Sequence, residues 1–133
     1  VCLGALIKII SVVDSNAVNS AKNEYLPVQA VDHLRDNPPG VLFNSYNWGG
    51  YLTYALPDSP VFVDGRTDLY GDAFLRRYVG AASGSDWQPL FSEYNVDTVF
   101  IEPGSGLANV LREDPNWSVE YEDEQAVIFR RSA

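Results

Sequence analysis

The sequence predicts an α/β fold: a three-layer sandwich on a mostly parallel sheet, with a C-terminal antiparallel hairpin at one edge. Three observations predict it. Short continuous apolar runs, VLF at 41–43, VFV at 61–63 and TVFIE at 98–102, have the pattern of strands buried on both faces. Between them lie stretches with apolar residues at helical spacing, the alternation that builds parallel sheets. At the end of the chain WSVEYE and QAVIFR flank Asp123-Glu124 and alternate apolar with polar, as hairpin strands do.

Composition narrows the class further. At 133 residues the chain is one domain, long enough to bury a core without staples. The formal net charge of −9, with Lys8 and Lys22 as the only lysines, argues against nucleic acid as a partner, because phosphate backbones are held by clustered basic residues. Cys2 and His33 stand alone of their kinds, which excludes an internal disulfide and a Cys/His zinc site. A metal here would take oxygen ligands, as magnesium, calcium and manganese do; no cofactor is required by the sequence.

The elements follow in order. Residues 1–13, VCLGALIKIISVV, are too short to span a bilayer alone and read as the end of a transmembrane helix or as an apolar strand. The polar connector over 14–26 favours the membrane reading. A single α/β domain fills 27–133. Pro27 with Val28, Val31 and Leu34 gives a helix that Asn37-Pro38-Pro39-Gly40 ends. After the first strand, Trp48, Tyr51, Leu52 and Ala55 repeat at helical spacing up to Pro57, and VFV is the second strand. From Asp72, AFLRRYV is helical, and Ser85 with Gln88 forms a capping box for a helix through Leu90, Phe91 and Tyr94. The third strand leads into Pro103-Gly104-Ser105-Gly106, which opens a helix carrying Leu107, Val110 and Leu111.

Polar residues crowd behind two of the apolar runs, and in parallel sheets ligands gather at such strand ends. In VFVDGRTDLYGD, Asp64, Asp68 and Asp72 can supply oxygen ligands to a divalent cation, Asp64 and Asp68 foremost, and Arg66 can meet a phosphate or carboxylate. The same residues serve as well as a turn and helix cap, with Arg66 paired to an acid. In NSYNWGGY, Tyr46 and Trp48 suit stacking on a sugar ring while Asn44 and Asn47 bond its hydroxyls; alternatively, Trp48 and Tyr51 anchor the core and the asparagines hold the turn by side-chain to backbone bonds. The 103–106 turn has neither GxGxxG nor a P-loop pattern and reads as a plain capped turn. There is no GxSxG elbow, and His33 reads as a surface residue.

The order of NPPG, NWGGYL, PVFVDGRTDLYG and YEDEQAVIFRR resembles the soluble C-terminal domain of uncharacterised bacterial polytopic membrane proteins related to lipid-linked-sugar glycosyltransferases. A more distant similarity is to the soluble domain of oligosaccharyltransferase catalytic subunits. Their WWDYGY motif aligns on Gly50-Tyr51, with Asn47 and Trp48 in place of the Trp-Asp. The resemblance implies an extracytoplasmic domain attached to an upstream membrane-spanning region of the same chain, in which catalysis lies outside this piece. Its implied role is accessory, binding a glycan, lipid-linked sugar or acceptor, or packing on the membrane part. Asn44, Tyr46, Asn47 and Trp48 would line one wall of the cleft, and Asp64, Arg66 and Asp68 the other. The alternatives are a stand-alone metal-dependent phosphoryl or nucleotide enzyme using Asp64 and Asp68, and a structural domain without a ligand.

Overall fold

The computed structural model describes residues 26–64 and 70–132. The apolar opening at 1–13, the connector but for Leu26, and Arg66 and Asp68 of the acidic loop therefore lie outside the described residues.

Helix α1 (Val28–Asp36) starts from Pro27 and buries Ala30, Val31 and Leu34. It stops where the side chain and backbone N–H of Asn37 both donate to the His33 carbonyl, ahead of the prolines that cannot continue it. Strand β1 (Leu42–Asn44) follows, then a 3₁₀ turn (Tyr46–Trp48) running into helix α2 (Gly49–Ala55). After the acidic loop come α3 (Asp72–Ala82), α4 (Trp87–Tyr94), β2 (Thr98–Ile101), α5 (Gly106–Glu113), β3 (Trp117–Glu122) and β4 (Val127–Arg131). Ser105 caps α5 by accepting the Ala108 N–H, so the 103–106 turn is the capped turn expected. The capping box expected at Ser85 does not form: α4 is entered through Asp86 in a left-handed conformation with no side-chain cap.

The four strands make one sheet in the order β1-β2-β4-β3. Only β1 and β2 are parallel; β4 runs antiparallel to both β2 and β3. The fold is α/β, with the C-terminal hairpin at one edge. The three-layer sandwich expected on a mostly parallel sheet is not what this mixed sheet supports. The missing parallel strand is VFV, which is not a strand. Pro60 before it has no N–H, and the N–H groups of Phe62 and Val63 and the Val63 carbonyl are taken by one side chain, Asn44. The ladder that would extend the sheet past β1 is replaced by that amide.

Alternate residues of each strand enter two apolar clusters. Leu42, Phe100 and Ile128 pack with residues of α1 and α2; Phe43, Val99, Ile101, Val127 and Phe129 pack with residues of α3, α4 and α5. Phe43, Phe100 and Phe129 are fully buried, each contributing about 1.5–3 kcal/mol of transfer free energy. The register fixes what gathers at each end of the sheet. Asn44 ends β1 and Glu102 follows β2, so both lie at the carboxyl end of the parallel pair. The pairings of Thr98 with Arg130 and of Arg131 with Trp117 bring those residues together at the opposite end.

Candidate functional site

The carboxyl end of the β1-β2 pair is built by the segment that follows β1. Asn44 is wholly buried. Its Oδ1 accepts the N–H of Phe62 (2.7 Å) and of Val63 (3.3 Å), and its Nδ2 donates to the carbonyls of Val63 and Ser45, both at 2.9 Å. The amide thus copies a peptide group and ties the 62–63 segment to the sheet edge. Both polar atoms are fully engaged, and Asn44 cannot line a cleft. Trp48 is likewise a core residue, 5% exposed and packed on Phe100 with ring centroids 5.0 Å apart.

Between them, Tyr46 and Asn47 face outward while Ser45 is buried. Tyr46 is 39% exposed, and its backbone N–H donates to the Tyr78 hydroxyl (2.7 Å), which itself donates to the Asn44 carbonyl (2.9 Å). Burial pushes the Tyr78 hydroxyl above the ordinary tyrosine range, so it stays a neutral hydrogen-bonding link. Asn47 is exposed, and its Nδ2 donates to Glu102 Oε1 at 3.3 Å. Ser45 donates to the same oxygen at 2.7 Å and accepts the Asn47 N–H through its Oγ. One carboxylate oxygen is therefore held by two donors, while no bond of Oε2 is found.

Asp64 lies at the far side of this segment, 5% exposed, and its Oδ1 accepts the Tyr70 hydroxyl at 3.1 Å. The structure brings Asn44, Tyr46, Asn47, Trp48 and Asp64 around one end of the sheet, with Asn44, Trp48 and Asp64 on the inside. The second metal candidate, Asp68, is outside the described residues, and no group of three His, Cys, Asp or Glu side chains among the described residues could hold a metal ion. Glu102, Ser45 and Tyr78 are members that the motif reading misses. Glu102 carries a legible signal: it is the first polar residue after a buried parallel strand, where Asp64 was sought.

His33 is more than a surface residue: its Nε2 is 3.2 Å from Glu120 Oε2, and its ring packs on Tyr121. No helix among the described residues is long and apolar enough to cross a membrane. No protein-family model, curated protein or solved structure matches this chain.

Proposed function

We propose that the chain is the extracytoplasmic soluble domain of a membrane glycosyltransferase-like protein and that it serves there as an accessory domain, binding a glycan or the acceptor beside an upstream membrane-spanning region. The observation that carries the reading is Glu102. A carboxylate oriented through one oxygen by Ser45 and Asn47 has its other oxygen free to accept a hydroxyl hydrogen, and Tyr46 beside it offers an exposed ring. Sugar hydroxyls and ring faces match that pair of features. The buried members, Asn44, Trp48 and Asp64, act as its scaffold.

The test is a titration of the full chain with di- and trisaccharides, followed through the backbone amide resonances of Tyr46, Asn47 and Gly104. Saturable shifts at these positions are expected. Glu102→Gln should weaken binding roughly tenfold, the scale of a lost hydrogen bond to a charged group. No saturable shift at this end of the sheet, or equal binding by Glu102→Gln and Tyr46→Ala, would remove the reading.

A further inference from the structure

The opposite end of the sheet holds a recess of about 250 Å³ between α4 and the start of β3. It owes its shape to Trp87 and Trp117, whose rings meet edge to face at 78° with centroids 6.4 Å apart. Trp117 is anchored in the core and only 8% exposed, while Trp87 is half-buried. Neither indole N–H makes a hydrogen bond, yet no buried side-chain nitrogen or oxygen among the described residues lacks a partner. Both indole nitrogens therefore keep some exposure, in two residues that line the recess.

The polar side chains around them are also uncommitted. The amides of Gln88 and Asn116 and the guanidinium of Arg131 have no partner within the described residues. Asp114 uses Oδ1 to accept the Asn116 N–H at 2.8 Å, which fixes the loop, and presents its other oxygen. The lining thus combines donors, acceptors, two indoles, and one positive and one negative charge that offset each other. An apolar ligand would leave these polar groups unpaired, and an anion would meet Asp114 as well as Arg131. A ring bearing several hydroxyls, each able to donate and accept, matches the set.

We infer that this recess binds a single uncharged saccharide ring, at a site separate from the Glu102 end and independent of it. The three tryptophans report on the inference directly, since Trp48 lies in the other apolar cluster, away from Trp87 and Trp117. The full chain, labelled with ¹⁵N, is titrated with methyl β-D-glucopyranoside, methyl α-D-mannopyranoside and a methyl hexuronoside, reading the indole N–H signals. Expected is a saturable shift of the Trp87 and Trp117 signals with a neutral glycoside and none of Trp48. Gln88→Ala and Asn116→Ala, both exposed and free of internal bonds, should each weaken binding about fivefold, the scale of one hydrogen bond. Linear, unsaturating drift, unchanged affinity in the double variant, or a shift confined to Trp48 would overturn the site. A hexuronoside that binds more tightly than every neutral glycoside would overturn the assignment of an uncharged ring.

Discussion

The two ends of this sheet carry similar residue types and use them in opposite ways. At the carboxyl end of β1 and β2, Asn44 satisfies four backbone groups, Ser45 and Asn47 converge on Glu102, and Tyr78 bridges Asn44 and Tyr46. At the other end, Gln88, Asn116 and Arg131 touch nothing that fixes them. The same contrast separates two neighbours in sequence. Arg130 donates to Glu120, Thr98, Asn37 and Pro38, whereas Arg131, one residue on and therefore on the other face of β4, is uncommitted. A cluster of amides and aromatics is thus a scaffold or a recognition surface according to where its hydrogen bonds go.

The contrast is broken or sharpened most strongly at the glycine pair opening α2. A Cβ at Gly49 would run into the Val63 carbonyl oxygen and the Asp64 Cα, which are backbone and cannot swing away; at Gly50 it would meet nothing. Gly49→Ala is expected to cost about 3 kcal/mol as the 63–64 segment is forced off α2. Gly50→Ala should be neutral or stabilise by up to about 1 kcal/mol, because alanine favours helix. Urea unfolding of both variants measures the difference. Equal midpoints would mean that the 62–64 segment is not clamped at this end.

A second pair compares the two asparagines. Asn44→Ala leaves the Phe62 and Val63 N–H groups and the Val63 carbonyl without their partner in a buried place, with an expected loss of about 2–3 kcal/mol. Asn116→Ala removes a side chain with no internal bond and should stay within about 0.5 kcal/mol of the parent. Thermal unfolding of the two variants in parallel decides it. A loss at Asn116 as large as at Asn44 would remove the distinction between the two ends.

The sequence carried most of the elements but not their arrangement. The helices at 28–36, 72–82 and 106–113 were legible because apolar spacing and the flanking Pro, Gly and Ser state both period and boundary. VFV has the composition of a buried parallel strand, and nothing local announces that an amide from β1 takes its backbone partners. Of the two roles the sequence allows Asn44, bonding a ligand or bonding backbone, the structure shows the second, and over a longer range than one turn. Its partners lie 18 and 19 residues away in sequence. The recess between Trp87 and Trp117 was invisible for a similar reason, since residues from α4, β3 and β4 meet there only through the β3-β4 register.

The smallest expected effect concerns the committed arginine. Arg130 grips Glu120 with Nε on Oε1 (3.2 Å) and Nη2 on Oε2 (2.8 Å), while its Nη1 donates to Thr98 and its fork reaches the carbonyls that end α1. The hydrogen bond from Arg130, with a lesser one from His33, holds the Glu120 carboxyl below the ordinary glutamate value of 4.5. A depressed folded-state value means that the carboxylate stabilises the fold fully above the unfolded value and that this stability is lost as pH falls through the folded one. The contribution should therefore fade below about pH 4.5. Glu120 keeps 27% of its side chain exposed, so screening keeps the effect below about 1 kcal/mol. Glu120→Gln is expected to be slightly less stable than the parent at pH 7 and to lose less stability between pH 5 and pH 3, by urea midpoints at each pH. Arg131→Ala, with no carboxylate partner to titrate, should follow the parent curve throughout. Parallel acid limbs for Glu120→Gln and the parent would show that the Arg130 grip adds nothing to the fold, leaving the two arginines alike in energy if not in geometry.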